Sequence, residues 1–225
     1  YEIAQCLVGS EMCIRDRPKV DMHNGHIIGG EALVRWQNDK EMIYPDQFIP
    51  VLEKNGYVID VDNFIWNKVC ACIKMMEDKG IEPVPISVNV SRMHVYQEKF
   101  TENLKNMAGE YGIDPKYIPL EITESAFTKE EGSLFKKVQS LQGYGFKFSM
   151  DDFGSGYSSL GMLKSERVDE VKIDKTFVDD IATDKGKVLL GNVIRMINEL
   201  GIDMIAEGVE TKEQADFLKE NGCMS

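Results

Sequence analysis

The stretch FKFSMDDFGSGYSSL, residues 146–160, runs from a short apolar segment into two adjacent aspartates, Asp151 and Asp152, and then into glycines and serines. Like charges in contact raise each other's pKa and repel, so a pair fixed in place either shares a cation or stands in open water. The pair alone leaves both readings open, a metal site or a solvated turn.

Working outward, the same form recurs. Short β-rich runs occur at IIGGEALVRW (27–36), ISVNVS (86–91), IPLEITES (118–125), FKFSMDD (146–152), DEVKID (169–174) and DMIAEGVE (203–210). Longer segments with helical periodicity separate them. Leu190, Val193, Ile194 and Ile197 make one apolar stripe, which Gly201 closes. Thr128 with Glu131, and Thr211 with Gln214, have capping-box spacing and predict helix starts just after two of the strands. Repeated strand-helix alternation predicts a parallel sheet covered by helices.

Each run also carries a polar residue near its C-terminal end: Glu31, Asn89, Glu121, Asp151, Lys172 and Glu207. One such intrusion is most often a structural hydrogen bond. Six, one per strand, fit a (β/α)8 barrel, in which all strands point the same way and their C-terminal ends form the active-site face. Alternation puts Glu31, Leu33 and Arg35 on one face and Glu121 with Thr123 on one face, while Leu120 and Ile122 point at the helices.

The residue types select among cations. Carboxylates and an amide oxygen suit hard ions such as Mg²⁺ or Mn²⁺ rather than zinc. The three histidines, His23, His26 and His94, lack metal-protease spacing and read as surface or turn residues. Four carboxylates and an asparagine exceed the needs of one ion and suit two, the usual device for phosphoester hydrolysis.

Composition narrows the classes. The chain of 225 residues is long enough for one large domain, and its formal charge of −12 argues against a nucleic-acid polymer or an anionic membrane as partner. No apolar run approaches the roughly 18 residues of a membrane span, and the N-terminal residues lack the pattern of a signal peptide. Five cysteines without CxxC spacing argue against a disulfide framework or a zinc knuckle. Cys70 and Cys72 read as buried thiols, and a cytoplasmic setting follows.

With GGEALVRW, SVNVS, EITES, DDFGSGYSSL, KIDK and AEGVE in that order, the chain resembles the EAL-domain cyclic di-GMP phosphodiesterases from about Pro18 to Cys223. The resemblance implies an EAL-type (β/α)8 barrel that opens cyclic di-GMP to linear pGpG with two Mg²⁺ or Mn²⁺ ions. Glu31, Asn89, Glu121 and Asp151 would be metal ligands, with Asp151 bridging and Asp152 serving the second ion. Lys172 and Glu207 would hold or activate the attacking water, so that Glu31, Asp151, Lys172 and Glu207 carry the catalysis. Leu33 and Arg35 would bind substrate, Arg35 by gripping a phosphate. Glu124 would anchor the loop that begins at Asp152, and that loop would couple metal occupancy to a neighbouring subunit in a homodimer.

Alternatives stand beside these roles. Lys172 could be a salt-bridge partner within the barrel, Glu124 a solvated strand end, and Arg35 a partner of Glu31. The Phe153-Gly154 neighbourhood echoes the Asp-Phe-Gly triplet of kinases, but neither a glycine-rich ATP loop nor a kinase catalytic loop accompanies it. From another functional class, a receptor would keep the pocket and bind cyclic di-GMP without turnover.

Both ends depart from the family pattern. Residues 1–17 read as a non-native segment, because LVGSEMCIRDR (Leu7 to Arg17) lacks strand alternation and matches, codon by codon, one frame of a transposon-end sequencing adapter. Residues 18–225 read as the EAL domain, short of its last strand and helix. The expectation is therefore a barrel with its first strand replaced or damaged and its last missing, and an inactive chain as it stands.

Overall fold

In the computed structural model, residues 12–37, 42–123, 131–154, 163 and 168–225 are described. Among them, strand β2 (Ile27–Gln37) buries Glu31 on one face and Ala32 and Val34 on the other, so that an acid stands among the buried residues. The chain divides into two compact units. The first comprises Tyr1–Pro18, Gly29–Leu120 and Ser140–Phe146; the second comprises Lys19–Ile28, Glu121–Gln139 and Lys147–Ser225.

In the first unit, β1 (Met12–Val20) as far as Pro18, β2 from Gly29 and β4 (Ile86–Asn89) lie in that order, and β3 (Met42–Ile43) pairs antiparallel with β2. β2 and β4 run parallel, with Glu31 opposite Ser87. Strand β1 was not expected from the alternation. Backbone pairing does not depend on side-chain identity, and Ile14 is buried in it at 5% exposure. Helix α1 (Pro45–Asn55) is followed by α2 (Val58–Asp78), then α3 (Arg92–Val95) and α4 (Phe100–Tyr111). Val58, Val61, Asp62, Ile65, Trp66, Val69, Cys70 and Ile73 recur at helical spacing along α2 and are all buried. Removing each large apolar side chain from water contributes about 1.5–3 kcal/mol.

Strand β5 (Leu120–Thr123) starts in the first unit and continues into the second, where β5, β6 (Phe148–Phe153), β7 (Glu170–Ile173) and β8 (Asp203–Ala206) follow in order. β6 and β7, and β7 and β8, are parallel. Helix α5 (Glu131–Gln142) lies between β5 and β6 in the chain, α6 (Lys175–Asp179) and α7 (Asp184–Glu199) lie between β7 and β8, and α8 (Lys212–Glu220) follows β8. The apolar stripe falls on α7, where Leu190, Ile194 and Ile197 are fully buried. Gly201 stands at φ 69 just beyond the helix, a left-handed turn that favours glycine. At α8, Thr211 and Gln214 form the expected capping box. Glu124, Thr128 and the Gly-Ser loop from Ser155 lie outside the described residues. No described helix is long and apolar enough to cross a membrane.

Candidate active site

In the second unit the site is built round one buried ammonium. Lys172, 2% exposed on β7, lies 2.8 Å from Glu121 Oε2, 2.9 Å from Asp151 Oδ1 and 2.8 Å from Glu207 Oε1. Lys172 pairs with Ile205 in the β7–β8 register, and Glu207 lies two residues further on. The strand period of two therefore keeps Glu207 on the face of Lys172. The other oxygen of Glu121 accepts from Lys19, which also donates to Glu170 at 3.0 Å. Motif reading does not find Lys19, because the segment that carries it shows no strand alternation.

The adjacent aspartates meet here by a backbone device. Side chains of neighbouring strand residues point to opposite faces. The β6–β7 register slips between Met150 and Phe153, and Asp152 takes φ 56, the only positive φ among the described residues other than glycines. A left-handed aspartate costs on the order of 1 kcal/mol, and such bulges re-aim side chains near functional sites. The Asp152 N–H donates to Asp151 Oδ1 at 3.0 Å. Burial pushes the Asp151 carboxyl up to about 6 against the attraction of Lys172, with Glu121 and Glu207 reinforcing burial. Burial also raises Asp152, helped by repulsion from Asp174 and Glu207. Both acids thus lie in the field of Lys172, Glu121 and Glu207.

In the first unit, Glu31, 4% exposed, accepts from Asn89 Nδ2 at 3.3 Å and pairs with Arg17 Nη1 at 3.2 Å. Asn89 stands two residues beyond Ser87, the β4 partner of Glu31, and so shares its face. Helix α2 braces this strand end. The Trp66 indole donates to the Asn89 carbonyl at 3.1 Å, and Asp62 Oδ2 accepts from the Ser91 amide at 3.0 Å and contacts His94 Nδ1 at 3.2 Å. His94 stacks on Trp66 with centroids 4.3 Å apart and is 1% exposed. The surface reading of His94 is therefore corrected. His94 sits in the short α3, whose first turn Ser91 caps, and this turns its ring against α2. His23 and His26 are exposed as expected.

Arg35 does not pair with Glu31. It donates to the Val34 carbonyl at 2.8 Å, and its guanidinium lies 5.5 Å from the Tyr44 ring centroid. Arg17, Leu33, Arg35, Tyr44, Asp46 and Gln47 line an open cleft of about 430 Å³. Leu33 and Arg35 share this cleft as the alternation predicts. Cys70 and Cys72 are buried, and burial raises the Cys70 thiol to about 12, which leaves it inert.

Among the described residues, no three His, Cys, Asp or Glu side chains close on one point as a ready metal cage. The donor set nonetheless fits a hard cation. Oxygen donors predominate, and the carboxylates of Glu121, Asp151 and Glu207 already converge on a positive charge.

Acids and a lysine at the carboxyl ends of parallel strands, with helices between, are the arrangement of the α/β barrel class. The chain belongs to the EAL domain family, whose model matches residues 2–225. It is 31% identical to the bifunctional diguanylate cyclase/cyclic di-GMP phosphodiesterase MucR of Pseudomonas aeruginosa over 227 residues, covering 100% of this chain and 33% of MucR. It is 29% identical to the cyclic di-GMP phosphodiesterase NbdA of the same organism, covering 99% of this chain and 29% of NbdA. The chain thus spans about a third of the length of these relatives. A solved structure of the P. aeruginosa MucR phosphodiesterase in complex with c-di-GMP superposes with a TM-score of 0.89 at 31% identity, covering 95% of this chain and 87% of that one.

Proposed function

We propose that the protein hydrolyses cyclic di-GMP to linear pGpG. The observation that carries this reading is the convergence of Glu121, Asp151 and Glu207 on Lys172 in a chain of the EAL family. In this proposal Glu31, Asn89, Glu121, Asp151 and Asp152 hold two Mg²⁺ or Mn²⁺ ions. The ions would supply charge neutralisation at the phosphate and an acidified water. Because Asn89 donates through Nδ2 to Glu31, its Oδ1 is the atom suited to a cation. Glu207, 2.8 Å from Lys172, takes the proton of the attacking water, and Lys172 holds that water's oxygen. Leu33 and Arg35 receive the substrate in their cleft, the guanidinium fork matching a phosphate.

The test is product analysis. Incubation of the full-length protein with cyclic di-GMP and Mn²⁺ should yield pGpG, and chelation should stop it. Tight binding without turnover would support the receptor reading instead. A homodimer in the cytoplasm, with Glu124 anchoring the loop that begins at Asp152, completes the proposal, and sedimentation with and without substrate tests the assembly. We further propose, from the adapter match, that residues 1–17 are non-native although the family model also spans residues 2–17. Recovery of the Leu7 to Arg17 codons from unfragmented genomic DNA would refute that.

A further inference from the structure

We propose that Phe177 is a positioning residue for the Asp151-Asp152 pair: its ring, carried on α6, holds the bulge in which Asp152 stands. The inference concerns the metal-free protein itself, and its meaning for metal binding rests on the function proposed above.

Three observations converge on this bulge. Asp152 is held at φ 56, and the strand register slips between Met150 and Phe153, which flank it. The Phe153 carbonyl accepts from the Asp174 amide at 3.4 Å, a long bond that does little to fix the turn alone. Gly154 follows at φ 97, and a Cβ there would run into the Phe177 ring. The ring therefore packs against bare backbone at the point where the chain leaves the bulge. Phe177 is itself aimed by the start of α6, where the Asp174 carboxylate accepts from the Thr176 amide and the Phe177 amide donates to the Asp174 carbonyl at 3.1 Å. The same helix approaches a second glycine. Lys175 lies over Gly208, the residue after Glu207, at φ 68. One short helix thus abuts the chain beside Asp152 and beside Glu207. A backbone outlier persists only where its surroundings over-determine it, and Phe177 is the side chain that does so here.

Hydrogen exchange on the full, metal-free chain tests this, with Phe177→Ala, Phe177→Leu and Gly154→Ala compared with the parent. The Asp152 and Phe153 amides should exchange at least about tenfold faster in Phe177→Ala and Gly154→Ala, with Phe177→Leu intermediate. Amides of β7 and β8 should keep their protection. Unchanged exchange at Asp152, or an equal rise in all strands, would overturn the inference, the second outcome marking Phe177 as general core packing. A Mn²⁺ titration followed by electron paramagnetic resonance is the second readout. Phe177→Ala should bind Mn²⁺ about tenfold more weakly, and unchanged affinity would overturn the positioning role even if exchange quickened. A parent that takes up no Mn²⁺ would sink the proposed function instead, while the exchange comparison would still decide the role of Phe177.

Discussion

Replacing Lys172 by methionine removes a positive charge that Glu121, Asp151 and Glu207 share while keeping most of the side chain's volume. At 2.8–2.9 Å and an effective dielectric of about 20, each contact is worth roughly 6 kcal/mol before desolvation is counted. Desolvation of the ammonium and the carboxylates offsets most of that. Breaking a buried pair nonetheless costs about 3–5 kcal/mol, because the partner charges stay behind. In chelator at pH 7, Lys172→Met should therefore melt roughly 6–20 °C below the parent. The deficit should shrink at pH 5, since carboxylates robbed of their counter-ion take up protons more readily in the folded state. Added Mn²⁺ should raise the variant's melting point more than the parent's. Calorimetry at both pH values measures this. A variant within 1 °C of the parent at pH 7 would refute the claim that the ammonium holds this cluster together.

Asp151→Asn should cost several orders of magnitude in turnover of cyclic di-GMP, read from initial rates of pGpG formation. Its effect on metal-free stability has the opposite sign. The folded carboxyl, raised to about 6, favours folding below its unfolded value near 4 and loses that advantage as pH rises through 6. Between pH 4 and 7 the parent should thus lose about 2 kcal/mol more than the variant, which denaturant titration would reveal. Arg35→Ala should weaken cyclic di-GMP binding by about 1.5–3 kcal/mol in a calorimetric titration, and equal affinity would remove its phosphate role. Trp66→Phe strips the donor from the Asn89 carbonyl and should cost about 1–3 kcal/mol of stability and lower Mn²⁺ affinity, measured by melting and by titration.

What the sequence disclosed is what period-two and period-3.6 patterns can carry. Glu31, Leu33 and Arg35 on alternate positions of β2, and the stripe on α7, follow from local spacing and appear where expected. Strand ends were less legible. The run over 203–210 stops as a strand at Ala206, because nothing local says where pairing partners give out. Asp152 was legible as an acid but not as a left-handed residue, since the bulge depends on β7 and α6. His94 was misread because its burial is decided by α2, whose Asp62 and Trp66 lie about thirty residues away in sequence. The strand at Met12–Val20 escaped for a related reason: a backbone edge can recruit a segment whose side chains show no alternation.

The span of the contacts at Glu121 bears on how the molecule assembles in time. Glu121 is tied to Lys172 across 51 residues and to Lys19 across 102, and Lys19 reaches Glu170 across 151. Closing such loops is slow and rewards the chain only when nearly everything between is in place. The ionic cluster should therefore be absent from the folding transition state, and its carboxylates stay hydrated until the last stage of collapse. Substitutions at Lys19 or Lys172 would then leave the refolding rate nearly unchanged and act almost wholly by hastening unfolding.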